Sequence, residues 1–274
     1  MSKAKEQDRH IYFEKIKQYQ AMADTLLNTE KNILLEIKEE PPDASIKRLT
    51  LVDEMLNLAS YYIAINGVSQ AVIKTKNEEA LNEARKSLYK AVIYLEEIVS
   101  NFIDAPYSEY EGKLATIESF NSSERYHLIR KMGLAIDLLE DSYGDNSKWR
   151  WTFVEMEGRY ATTAKNIVDL RNVIANSNPN SPNYEATVNH IRLIKRLLMQ
   201  SADRYREKYE LSTGQMHDFK TGIAFLAALK RLYTILSDKD EAEAVKKKLT
   251  IWTSKLESDQ KKQEEAKTKK NVKV

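Results

Sequence analysis

Met55–Ile73, MLNLASYYIAINGVSQAVI, is a run of nineteen residues without a charge, closed by Glu54 on one side and Lys74 on the other. Charged residues make up 31% of the chain, so a run of this length marks a segment that its neighbours must cover. Two apolar rows pass through it at heptad spacing: Leu51, Leu58, Ile65 and Val72, and beside them Leu49, Leu56 and Ile63. A helix apolar over so much of its circumference is buried on more than one side. As a helix the run would reach roughly 28 Å at about 1.5 Å per residue, close to a bilayer core. Asn57, Ser60, Asn66, Ser69 and Gln70 lie inside it, however, and the expectation is a buried helix of a soluble bundle. Asn66-Gly67 is also a hairpin signal. Helical patterns on both sides keep the segment helical, at a cost of about 1 kcal/mol for glycine relative to alanine.

The flanking segments repeat apolar residues at steps of three and four. Before the run, Tyr12, Ile16, Tyr19, Ala23, Leu26, Ile33 and Ile37 stripe one face of a helix expected over Asp8–Glu39, with Glu30 in the gap. Pro41-Pro42 stops it, since proline lacks the N–H and clashes with the preceding turn. The central helix is expected over Ser45–Lys76. After it, Leu81, Ala84, Leu88, Ala91, Leu95, Ile98 and Phe102 stripe a third helix started by Asn77 and ended by Pro106. Tyr107–Asn121 is irregular, with room for one short helix. Asn121 and Glu124 have capping-box spacing ahead of Ile129, Met132, Ile136 and Leu139. Gly144-Asp145-Asn146 breaks that helix. Further helices are expected over Ser147–Ala175, Pro182–Glu210, around Phe219–Leu236 and around Val245–Leu256. The fold class is therefore all-α, a multi-helix bundle of about eight or nine long antiparallel helices without a β-sheet. The domain is expected over 1–258, followed by a lysine-rich disordered tail, 259–274.

Composition limits the chemistry. Cysteine is absent, which excludes disulfides, thiolate metal sites and cysteine nucleophiles. No signal-peptide pattern follows the polar start, so the expected location is cytoplasmic. Glu124 and His127 form one Glu-x-x-His pair, but a di-iron bundle needs two, and a capping and surface role is expected. Asp137, Glu140 and Asp141 read as a solvated face. No phosphate-binding loop, nucleophile elbow or zinc-protease motif occurs, so no catalytic residue, metal or cofactor is assigned. Trp149-Arg150-Trp151 puts two tryptophans about 200° apart on a helix, facing different surroundings. Six lysines between Lys261 and Lys273 oppose only Glu264 and Glu265. Through them the tail could tether the protein to nucleic acid or an anionic surface, with a salt-sensitive affinity.

The C-terminal part carries a family signature. Leu249-Thr250-Ile251-Trp252-Thr253-Ser254 resembles the Leu-Thr-Leu-Trp-Thr-Ser phrase in the last helix of 14-3-3 proteins. Ala224-Phe225, Ala228-Leu229, Leu232 and Thr234, and the Ser237-x-Lys239-Asp240 loop, are similar to the preceding helix and its connection. Ile191-Arg192-Leu193, Met156-Glu157-Gly158-Arg159-Tyr160, Leu49-Thr50 and Tyr61 extend the resemblance over most of 45–258. It implies a dimeric, cytoplasmic, all-helical adaptor with Asp8–Glu39 as two helices, holding phosphoserine or phosphothreonine peptides by charge-assisted pairing with arginine and lysine. The matched groove positions are Tyr62, Ser69, Thr162, Thr163, Lys248 and Trp252. Only Trp252 keeps the family residue; the clamp lysine, arginines, tyrosine and asparagine are replaced. The expected function is a non-enzymatic adaptor that takes a protein or peptide partner, phosphorylated or not, in a helical groove whose ordinary phosphate clamp is not matched. A helical-bundle enzyme with a core site and a tail-tethered protein are the alternatives.

Overall fold

The computed structural model describes residues 3–144 and 148–271. Those residues form ten α-helices and no strand. They are α1 (Lys3–Glu36), α2 (Ala44–Ile73), α3 (Glu78–Ile98), α4 (Glu111–Ala115), α5 (Ser122–Tyr143), α6 (Arg150–Asn166), α7 (Leu170–Asn176), α8 (Tyr184–Lys208), α9 (Met216–Ile235) and α10 (Lys239–Asn271). None is long and apolar enough to cross a membrane. The chain divides into two compact units, one of residues 1–101 with 107–187 and one of 102–106 with 188–274.

In the first unit α2 touches α1, α3 and α5, and α6 packs on α3 and α5. Three neighbours account for the uncharged run. Leu51, Val52, Met55, Leu56, Leu58 and Ala59, which cover almost half of the helix circumference, are all 1% exposed or less. Each such side chain contributes roughly 1.5–3 kcal/mol on burial. α2 continues unbroken through Asn66-Gly67, so the hairpin alternative is not adopted. Its polar residues are used at the turn that follows. Asn66 Oδ1 accepts from the Asn77 N–H at 2.8 Å, Asn77 Nδ2 donates to Tyr12 Oη at 2.8 Å, and Ser69 Oγ donates to the Thr75 carbonyl at 2.8 Å. Asn77 also caps α3, its side chain accepting from the Ala80 N–H. One knot of amides thus joins α1, α2 and α3.

Along α1 the expected stripe is buried at Tyr12, Ile16, Ala23 and Glu30, the last 4% exposed, and half-buried at Tyr19, Leu26 and Ile33. The Glu30 carboxylate accepts from Lys90 Nζ and Tyr94 Oη, each at 2.6 Å, as a buried charge requires. Burial, together with this carboxylate, pushes the Tyr94 phenol pKa well above its ordinary value. α1 is continuous, without the break that two helices over Asp8–Glu39 would need. α5 starts with the expected capping box of Asn121 and Glu124.

Three helix bounds differ most from the sequence reading. α3 ends at Ile98, short of Phe102 and Pro106, and Phe102 is 65% exposed. Ser147–Ala175 is not one helix. Ile167–Asp169 separates α6 from α7, because the Ile167 carbonyl accepts from Arg125 at 3.0 Å and the Asp169 carboxylate accepts from the Arg171 N–H at 3.0 Å. α10 runs past Ser258, where its apolar stripe ends, since no glycine or proline follows and Asp259 pairs with Lys255 and Lys262. The expected break at Asp145-Asn146, the start at Ser147 and the tail residue Lys273 lie outside the described residues.

In the second unit α9 pairs with α10. Gly222 permits α9 to approach α8, since a Cβ there would meet the Ala202 carbonyl at 3.0 Å. Tyr209 stacks on Phe219 at 5.0 Å, and Phe219 meets Trp252 at 5.6 Å.

Two glycines of the first unit are expected to behave in opposite ways. A Cβ at Gly67 would touch nothing, so Gly67→Ala should raise stability by about 1 kcal/mol through helix propensity alone. A Cβ at Gly133 would meet Tyr160 Oη at 2.5 Å, where that hydroxyl donates to the Ile129 carbonyl. Gly133→Ala should cost about 1–3 kcal/mol as an overpacking change. Urea unfolding of the two variants measures both.

Candidate functional site

α2 and α5 run in the same direction. Lys131 meets Asp53 toward their starts, and Lys76 Nζ donates to the Tyr143 carbonyl at their ends, at 2.9 Å. Between their first halves lies an open groove of about 600 Å³. One wall is the α2 stripe Ile46, Leu49, Thr50 and Asp53; the other is the α5 stripe Glu124, His127, Leu128 and Lys131. Both follow the three-and-four spacing that puts residues on one helix face. Ser119 and Phe120, in the turn before α5, also line it. The volume lies in the range of ligand pockets.

The groove has an apolar floor and a charged rim. Leu49 and Leu128 are buried, and Ile46 is 36% exposed. Lys131 Nζ lies 2.5 Å from Asp53 Oδ1, both half exposed. Such a pair contributes at most about 1 kcal/mol to stability, so it shapes the rim more than it holds the fold. Glu124 is taken up by the cap, accepting from the Asn121 N–H at 2.8 Å. His127 is exposed and only loosely approached by Ser123 Oγ, at 3.5 Å. Among the described residues no group of three His, Asp or Glu is placed to hold a metal ion. Beyond Lys131 the same α5 stripe continues through Leu134 and Leu138, 60% and 44% exposed.

The six residues marked by the family resemblance lie elsewhere, and none lines this groove. Tyr62 packs half-buried against Tyr12, Ile16 and Ile65, and burial raises its phenol pKa. Ser69, Thr162 and Thr163 are buried. Ser69 is bonded to the Thr75 carbonyl, while Thr162 and Thr163 donate to carbonyls of the preceding turn of α6. Lys248 and Trp252 come together on α10. Lys248 Nζ sits 5.0 Å from the Trp252 ring centre and donates to Asp203 at 2.7 Å, and Arg206 lies 5.1 Å from that ring. Trp252 is 2% exposed. Of the two neighbouring tryptophans, Trp149 packs on Tyr143 under Arg85, while Trp151 lies under Arg150.

The groove residues Ile46, Asp53, Phe120 and Lys131 were not singled out by sequence. One signal was available: Leu134 and Leu138 fall off the Ile129, Met132, Ile136, Leu139 stripe of α5, so they needed a separate cover.

Residues 8–260 match the model of the TP0443 family. No curated protein and no solved structure matches the chain.

Placing at Ser69 the arginine that 14-3-3 proteins carry at the matched position should not create a phosphate site. Ser69 is 1% exposed, and an arginine there would bury an unpaired charge, at a cost of about 3–5 kcal/mol. Denaturant unfolding of Ser69→Arg is expected to show a loss of that size, with no gain in phosphopeptide affinity by titration.

Proposed function

We propose the following role for this chain, which belongs to the TP0443 family: it is a non-enzymatic helical adaptor that takes a segment of another protein in the α2–α5 groove. The observation that carries this reading is the groove itself, about 600 Å³ with Leu49 and Leu128 in its floor. Its α5 wall extends into the exposed Leu134 and Leu138. An apolar channel between helices, edged by single charges, suits an amphipathic segment that inserts apolar side chains at helical spacing.

The reading keeps the 14-3-3-like scaffold suggested by Leu249–Ser254 and gives its groove a different chemistry. The clamps of 14-3-3 proteins hold phosphate by free cationic side chains. Here three of the matched positions are buried hydroxyl residues, each bonded to a main-chain carbonyl. Binding is therefore independent of phosphate. A cytoplasmic location and a homodimer follow from the resemblance and are part of the same proposal.

A photo-crosslinking amino acid at the exposed Thr50 tests it in the full-length chain. The expected result is one discrete adduct, mapped to a defined partner segment and competed by that segment as a synthetic peptide. Ile46→Glu or Leu134→Glu, both at exposed positions, should weaken the peptide at least tenfold, about 1.4 kcal/mol. Phosphatase treatment of the partner should change nothing. Loss of the adduct on phosphatase treatment, or an affinity indifferent to both substitutions, would overturn the reading.

A further inference from the structure

A second cavity, about 210 Å³, lies in the first unit where α4, the turn before α5 and the start of α7 converge. It is polar and contains a buried cation. Arg125 is 6% exposed. Its Nε donates to the Phe120 carbonyl at 2.6 Å, Nη1 to the Ile167 carbonyl at 3.0 Å and Nη2 to the Ile117 carbonyl at 2.9 Å. A guanidinium has five N–H donors, so these three bonds leave one on each terminal nitrogen. All three partners are neutral carbonyls, and among the described residues no carboxylate forms an ion pair with Arg125. Burial lowers its pKa from the ordinary value, with the fields of Asp169, Tyr107 and Glu118 opposing.

The carboxylates that line the same cavity are engaged with other donors. Asp169 accepts from Tyr107 Oη at 2.6 Å, from the Arg171 N–H at 3.0 Å and from Asn172 Nδ2 at 2.8 Å. Glu111 pairs with Arg171, and Glu118 is exposed. Buried donors are satisfied by protein, water or ligand. Two parallel N–H groups on the end of a guanidinium match the two oxygens of a carboxylate.

We infer that this cavity is a binding site for a small carboxylate, held end-on by the remaining N–H groups of Arg125. The volume falls below that of drug-sized pockets and admits only a compact molecule. Three carboxylates in the wall make a monoanion more favourable than a dianion such as phosphate. An ammonium group on the same ligand would face Glu111, Glu118 or Asp169, so a small zwitterionic amino acid fits better than a simple acid. The site adjoins the α2–α5 groove at Phe120 but opens elsewhere, and its test does not depend on the adaptor reading.

The experiment titrates the isotopically labelled full-length chain with glycine, acetate and inorganic phosphate, following the Asn121 and Asn172 side-chain amides by NMR. Glycine should saturate, acetate should bind several-fold more weakly, and phosphate at least tenfold more weakly. Arg125 also holds the fold, so its removal alone is not decisive. Ala115→Leu fills the cavity from an exposed position without touching those bonds, and it should abolish glycine binding while leaving the melting temperature unchanged. Absence of a saturable shift with glycine or acetate, tighter binding of phosphate, or binding that survives Ala115→Leu overturns the assignment.

Discussion

A helix touched by three others can carry charge only where no neighbour reaches it, and α2 is in that position. Its contacts with α1, α3 and α5 leave no room for an ionised side chain at the buried positions of Met55–Ile73, because each would be desolvated without a partner, while Ser60, Gly67, Gln70 and Ala71 stay exposed and neutral. The charged residues of α2 gather at its first half, where Asp53 reaches Lys131 and Arg48 reaches Glu40 and Glu97. The polar residues that remain are amides and hydroxyls, and the turn after α2 uses them. Asn66 fixes Asn77, which fixes both Tyr12 and the start of α3. A buried network in which every member is bonded sets the register of three helices at once, which apolar packing alone does less sharply.

The groove follows from the same arrangement. α5 runs alongside α2 with Phe120 at one end, so the two helices present parallel stripes rather than crossing ones. Beside those stripes, faces turned further into the unit are filled by Leu56 of α2 and Met132 of α5, both 0% exposed. Toward the first turns, Thr50, Asp53, Glu124 and His127 take the place of large apolar residues, and the space between the helices opens. Core and groove are neighbouring faces of the same two helices, one packed and the other open to solvent.

Most of this architecture was readable from local signals. The stripe of α3, the capping box of Asn121 and Glu124, and the continuity of α2 through Gly67 all depend on residues within a few turns of one another. What was not readable depends on distant partners. The interruption at Ile167–Asp169 is held by Arg125, forty-two residues before Ile167, and by Tyr107, sixty-two residues before Asp169. The apolar period through Ile167, Leu170 and Ile174 carries no trace of either bond. The groove was hidden for a related reason. Ile46, Leu49 and Leu128 look alike in sequence, and only the spacing of two helices decides that Leu49 and Leu128 are buried in a groove floor while Ile46 stays exposed at its wall. The six positions implied by the 14-3-3 resemblance rest on short matched phrases, and burial of Ser69, Thr162 and Thr163 is a property of their neighbours rather than of the motif.

Arg125 ties these regions together. The segment 107–121 holds only a single 3₁₀ turn and the short α4, too little to order itself, since isolated helices of that length are marginal in water. A buried guanidinium costs several kcal/mol in desolvation. Each of its three bonds returns about 1.5–3 kcal/mol, as charged hydrogen bonds do. The balance is met only if Ile117, Phe120 and Ile167 present their carbonyls together, so the charge enforces one conformation of the irregular segment. Phe120 is fixed through its own carbonyl in this way, and it lines both the apolar groove and the polar cavity. The shape of each site is therefore set by the same buried cation, and a change in how its remaining N–H groups are satisfied would be felt first at Phe120.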